Sequence, residues 1–70
     1  MILRLENVSA HGIIPYLDGK RLYRISAIDP SIGSCPMKKI NDNTFEFEGE
    51  FEVREVEREK PLKVFEIYAK

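Results

Sequence analysis

Residues 44–53 carry the pattern that most restricts how this chain folds. Apolar residues occupy positions 45, 47, 51 and 53, and glutamates occupy positions 46, 48, 50 and 52. Side chains alternate between the two sides of a strand, so this two-residue period predicts one long strand with an apolar side and an acidic side. The apolar side is expected to lie in the core and the acidic side in water.

Further strands separated by turns are predicted along the rest of the chain. Asp18 and Gly19 lie between two apolar stretches, and this dipeptide favours a tight hairpin because both turn positions must tolerate positive φ. Turn-forming residues make 29–36 a loop. The other predicted strands are Ile2–Val8, 13–17, 20–28, 37–40 and Leu62–Ala69.

Residues 50–60 are rich in helix-forming residues, which leaves a partly helical segment open as an alternative. Only Val53 and Val56 would form an apolar stripe on such a helix, which is too little to bury it. We therefore predict that the strand continues here. A bulge is expected near Arg54 and Glu55, because Val56 has the parity of the acidic side.

Two of the predicted strands are apolar on both sides, which is unusual for an antiparallel strand with one side in water. The last strand has Leu62 and Val64 on one side and Phe65, Ile67 and Ala69 on the other. Such strands fit a curled sheet, or a sheet that a second copy of the chain covers. The chain is expected to be a single all-β domain over residues 1–70, a small antiparallel barrel or sandwich of five to six short strands with little or no helix.

Composition indicates the cellular location and the kind of source organism that we expect for this chain. A single cysteine, Cys35, excludes an internal disulfide, and no apolar run reaches the ~20 residues that span a bilayer. The first residues lack the pattern of a signal peptide, so we expect a cytoplasmic location without membrane contact. Charged residues make up 33% of the chain and glutamine is absent, a composition that favours a thermophilic source.

Few residues are suited to catalysis. His11 and Cys35 are the candidate pair of base and nucleophile, but no third residue that would orient them is indicated. One cysteine and one histidine also fall short of the four ligands of a structural zinc site. We expect no catalytic residues, no enzyme activity and no cofactor.

Oxygen ligands at close spacing suggest a divalent-metal site as one alternative function. Asp42, Asn43, Glu46 and Glu48 offer the carboxylate and amide oxygens that calcium and magnesium prefer. The segment lacks the ligand spacing and the central glycine of an EF-hand. A turn that leads into a strand is the simpler explanation.

Basic and aromatic residues around the predicted hairpin suggest nucleic-acid binding as a second alternative. The candidates, which would contact phosphates and stack on bases, are Arg4, Tyr16, Lys20, Arg21 and Arg24. Against this, the net charge is only −1, and the glutamates from position 46 onward would repel a polyanion.

The function that we expect is that of a non-catalytic β-rich interaction module. Its expected partner is a second copy of the chain or another protein. Val64, Phe65 and Ile67 on the last strand are the predicted interface, because apolar residues on both sides of a strand leave one side to be covered.

Overall fold

The computed structural model describes residues 1–8, 10, 12–59 and 62–70. Its strands are β1 (Ile2–Val8), β2 (Gly12–Leu17), β3 (Lys20–Arg21), β4 (Ile25–Ile28), β5 (Met37–Asn41), β6 (Thr44–Glu48), β7 (Phe51–Glu59) and β8 (Leu62–Ala69). A short 3₁₀ helix, Pro30–Ser34, lies between β4 and β5. The predicted all-β class with little helix is confirmed. No helix within these ranges is long and apolar enough to cross a membrane.

The strands form two sheets that share one core, so the predicted sandwich describes the architecture. The larger sheet has the strand order β3-β2-β1-β6-β5, and all of its pairs are antiparallel. The smaller sheet has the order β4-β8-β7. Its β7 and β8 are antiparallel, but β4 runs parallel to β8. The prediction of an entirely antiparallel fold is wrong for that pair, because β4 and β8 are distant in the chain and no hairpin sets their direction.

The chain crosses between the sheets where continuous strands were predicted. Residues 20–28 divide into β3 and β4, and the long acidic strand divides into β6 and β7 at Gly49 and Glu50. Both predictions of unbroken strands are therefore wrong, and the count of five to six strands is too low. The interruption between β6 and β7 is two residues long, so it preserves the alternation of apolar and polar positions. The period in the sequence therefore does not reveal this interruption.

The core lies between the sheets and also takes side chains from the crossings. Its buried members are Leu3, Leu22, Ile32, Phe47, Phe51 and Ile67. Half-buried Phe45 and Val53 pack against this cluster, as their strand pattern predicts. Ile32 enters from the predicted loop, where Asp29 Oδ1 accepts a hydrogen bond of 2.8 Å from the Ser31 backbone amide and caps the 3₁₀ helix.

The predicted hairpin at Asp18 and Gly19 is confirmed. Both residues have positive φ, 50° and 83°, and the flanking pairs are Tyr16 with Arg21 and Leu17 with Lys20. Asp18 Oδ1 also accepts a hydrogen bond of 2.8 Å from the Ile2 backbone amide, which fastens the turn to β1.

The bulge in β7 lies farther along the strand than predicted. β7 pairs with β8 without a register shift from Phe51 to Glu57, and the shift follows Glu57. The predicted bulge at Arg54 and Glu55 is wrong because Val56 stays on the outer side of the sheet, opposite Val64. An apolar cross-strand partner makes that position acceptable to a valine.

Replacing one core residue of β6 should be far more damaging than replacing its neighbour. Phe47 is buried and Glu48 is exposed, so Phe47→Ala should lower the free energy of unfolding by ~3 to 5 kcal/mol and Glu48→Ala by less than ~0.5 kcal/mol. Urea denaturation of both variants measures the difference. Equal effects would contradict the assignment of the two sides of β6.

Candidate interaction site

The two sheets differ in width, and part of the larger sheet's inner side is left uncovered. Ile13 shares the parity of Pro15 and Leu17 on β2, which are buried and half-buried, yet Ile13 itself is 54% exposed. It borders an open cleft of about 540 Å³. The cleft lies between β2 and β4 and is lined by Gly12, Ile13, Ile25, Ser26, Ala27 and Ile28. We call these six residues the open corner.

One side of the open corner is a sheet edge without charged side chains. β4 is the outermost strand of the smaller sheet, and its sequence is Ile-Ser-Ala-Ile. The other three edges in the described part of the chain, β3, β5 and β7, all carry lysine, arginine or glutamate. Charged residues on an edge discourage pairing with another strand. β4 lacks this protection.

A bulge in β4 places both of its isoleucines on the core side of the sheet. Ile25 pairs with Phe65 and Ile28 with Ile67, so three steps along β4 match two steps along β8. Ile25 and Ile28 therefore both pack against the core, although their positions differ in parity. Between them, the Ser26 hydroxyl donates a hydrogen bond of 3.2 Å to Glu66 Oε2.

Glu66 is the centre of a polar network on the outer side of the smaller sheet. Only 9% of its surface is exposed. Arg58 Nη2 lies 2.5 Å from its Oε2, and the Tyr68 hydroxyl donates a hydrogen bond of 3.2 Å to its Oε1. Together with Ser26, these contacts join all three strands of the sheet. We call Ser26, Arg58, Glu66 and Tyr68 the Glu66 network.

A second ion pair flanks the Glu66 network. Arg54 Nε donates a hydrogen bond of 3.0 Å to Glu52 Oε1, and the guanidinium carbon lies 4.3 Å from the centre of the Tyr68 ring. The hydrogen bond with Glu52 raises the pKa of Arg54 above its usual value, and the same bond lowers the pKa of the Glu52 carboxyl. Both groups are therefore charged near neutral pH.

The sequence prediction missed the role of Glu66. It treated β8 as apolar on both sides, although Glu66 and Tyr68 share the side of Val64. A recognisable signal was present, since Arg54 and Arg58 lie on the preceding strand and have the matching parity.

The predicted nucleic-acid residues are only partly brought together. Arg21, Tyr16, Arg4, Glu46 and Lys38 form one row of paired positions across the outer side of the larger sheet, which we call the cationic row. The Arg4 guanidinium carbon lies 4.3 Å from the centre of the Tyr16 ring. Lys20 pairs with Leu17 and has the other parity, and Arg24 immediately precedes β4 of the smaller sheet, outside the row.

The predicted metal ligands do not converge. Asp42 and Asn43 form the turn between β5 and β6, where Asp42 Oδ1 lies 3.7 Å from Lys39 Nζ. Glu46 and Glu48 lie on the outer side of β6. Among residues 1–8, 10, 12–59 and 62–70, no group of three or more His, Cys, Asp or Glu side chains could hold a metal ion.

The other predicted site residues have different outcomes. His11 lies outside the described residues, and Cys35 is a half-buried free thiol that packs against the core. Val64 and Ile67 of the predicted interface are buried within one chain, and Phe65 is half-buried against its core. A role of these three in self-association stays a prediction.

Comparisons with models of protein families, with curated proteins and with solved structures found no significant match to this chain.

The Glu66 network should contribute measurably to stability. Glu66→Ala removes an acceptor that three side chains share, so we expect the free energy of unfolding to fall by ~1 to 3 kcal/mol. Arg58→Ala should cost a similar amount, ~1 to 3 kcal/mol, because it leaves the Glu66 carboxylate, whose side chain is only 11% exposed, without its cation. Glu55→Ala, at an exposed position of β7, is the matched control, and denaturant unfolding measures all three. A Glu66 variant as stable as the control would refute this role.

Proposed function

We propose that this chain is a non-catalytic protein-interaction module that self-associates through the open corner. One observation carries the proposal: an uncharged sheet edge, β4, lies beside an exposed apolar cleft. An edge strand offers unpaired backbone donors and acceptors, and the cleft offers apolar surface. A second strand can use both at once.

Edge pairing and apolar burial favour association by different means. Adding a strand to an open edge supplies backbone hydrogen bonds, and neighbouring pockets supply selectivity for side chains. Covering the exposed surface of Ile13 would contribute about 25 cal/mol for each Å² removed from water. Together these terms oppose the loss of translational and rotational freedom on association.

The composition favours a cytoplasmic location and a heat-adapted source for this module. Cys35 is a free thiol and the only cysteine in the sequence, which suits the reducing cytoplasm. A chain rich in Lys and Glu and without glutamine is also suited to a heat-adapted source.

A charge placed in the open corner should prevent self-association without unfolding the chain. Ile13→Lys puts an ammonium group into the cleft, and the side chain is already 54% exposed, so the fold should tolerate it. Sedimentation velocity over a concentration series should show a reversible dimer for the wild type and a monomer for Ile13→Lys.

The matched control is Ile40→Lys on β5, where the isoleucine is 47% exposed at the edge of the larger sheet that lies three strands from β2. This variant should dimerise as the wild type does. A wild type that remains monomeric at millimolar concentration would contradict the proposed function. A dimer that persists in Ile13→Lys would show that the interface lies outside the open corner.

The cationic row favours nucleic-acid binding as a second candidate function. It aligns two arginines with a tyrosine on one exposed side of a sheet, and an arginine and an aromatic ring can both stack on bases. Acidic residues share the same surface. Glu46 pairs with Arg4 across the strands, and Glu6 Oε2 lies 4.0 Å from Arg4 Nη2.

This mixture of charges predicts weak binding. We expect wild-type protein to bind single-stranded oligonucleotides with a Kd above about 1 µM at ~0.15 M salt, because the glutamates oppose the phosphates. Fluorescence anisotropy over a salt series measures this, with Arg4→Gln/Arg21→Gln as the test and Lys63→Gln/Lys70→Gln as the control. Sub-micromolar binding whose salt slope falls by ~1.4 only in the test variant would establish the second function, because each phosphate contact to a single strand contributes ~0.7 to the slope.

A further inference from the structure

The sequence of β4 and its flanking residues is nearly symmetrical in character. It reads Arg24, Ile25, Ser26, Ala27, Ile28, Asp29, so a basic and an acidic residue enclose two isoleucines, which in turn enclose two small residues. In an antiparallel pair of such segments, the basic residue faces the acidic one, each isoleucine faces an isoleucine, and the small residues face each other. The symmetry suggests a second copy of the chain as the occupant of this edge.

We propose that two copies pair their β4 strands antiparallel about a two-fold axis between Ser26 and Ala27, so that Arg24 of each copy faces Asp29 of the other. This inference rests on the proposed function and specifies its partner and register. Ile25 then faces Ile28 of the second copy, and Ser26 faces Ala27. The interface is isologous, as a two-fold axis requires.

The bulge in β4 is what permits this register. In a regular strand, Ile25 and Ile28 would lie on opposite sides of the sheet, and a two-fold axis perpendicular to the sheet would not bring them together. Here both isoleucines lie on the core side because the bulge adds one residue between them. The four isoleucines of a dimer therefore lie on one side, next to the two clefts.

The charges at the ends of the segment are available for pairing. Arg24 is exposed and forms no ion pair with another residue in the described ranges. The Ser31 backbone amide lowers the pKa of the Asp29 carboxyl, so Asp29 is ionised at neutral pH. A parallel arrangement would instead place like charges together, so these two residues favour the antiparallel direction.

The ion pairs determine register more than they determine affinity. Exposed pairs contribute little free energy, while juxtaposed like charges disfavour a wrong arrangement. Six residues of strand span about 20 Å. Over this length, the apolar contacts of the isoleucines and the backbone ladder supply the attraction, and the terminal charges align it.

A charge exchange between Arg24 and Asp29 tests the pairing. Arg24→Asp alone places two aspartates opposite each other twice in the dimer, and Asp29→Arg does the same with arginines. Each single variant should weaken self-association by at least about tenfold. An equimolar mixture of the two single variants should form a heterodimer of nearly wild-type affinity. The double variant should form a homodimer of similar affinity. In both dimers, position 24 of each copy again faces an opposite charge at position 29 of the other.

Matched controls make the same charge changes elsewhere on the surface. Lys20→Asp and Asp42→Arg alter exposed residues outside β4 and should leave the dimer intact. Because Asp29 caps the 3₁₀ helix, Asp29→Asn provides a variant that keeps an N-cap residue and loses only the charge. It should weaken association less than Asp29→Arg does. Thermal melts identify any variant that has lost its fold.

The outcomes separate the register from the proposed function. Loss of the dimer in each single variant and its recovery in the mixture would support the pairing. A wild-type dimer that persists in Arg24→Asp and in Asp29→Asn would overturn the register while leaving self-association intact. A monomeric wild type would overturn both, and an extended peptide from another protein would then be the alternative occupant of the edge.

Discussion

The apolar layer between two sheets of unequal width is the constraint on which the rest of this structure depends. Leu3 of the larger sheet and Ile67 of the smaller one have no exposed surface, and Phe47 and Phe51 pack with them from either side of a crossing. A chain of 70 residues can build only a small core. The chain enlarges this layer by bringing Ile32 into it from a 3₁₀ helix.

The smaller sheet has different surroundings on its two sides. On the inner side, three strands do not cover all of five, and the open corner is the uncovered part. On the outer side, a polar network around Glu66 replaces a second apolar layer. Ser26 connects the two, because it lines the cleft and also binds Glu66. The network thus fixes the strand that forms the open edge.

Local chemistry was predictable from the sequence, and the path between the sheets was not. The turn at Asp18 and Gly19 follows from backbone sterics within a few residues, and the alternation around Phe47 identifies the buried side of β6. The crossing at Gly49 and Glu50 preserves parity, so no periodic signal marks it. The parallel placement of β4 depends on contacts with a strand almost 40 residues away, which a local pattern does not encode.

The candidate site was harder to predict than the fold for the same reason. The strand 62–69 was predicted to form an interface because it has apolar residues on both sides. In the structure, the chain's own core covers one side of this strand, and the Glu66 network occupies the other. The exposed apolar surface lies instead where the beginning of β2 meets β4, two strands that do not pair with each other. Only the three-dimensional arrangement places Ile13 and Ile28 on the same cleft.

Amide hydrogen exchange at two protein concentrations tests the central claim most directly, because it needs no substitution. Dimer formation follows mass action, so protection at an interface rises with concentration. The account predicts slower exchange in β4, residues Ile25–Ile28, at high concentration, and unchanged exchange in β5, Met37–Asn41, which is also an edge strand. Exchange in β4 that is independent of concentration, or a concentration effect confined to β5, would contradict it.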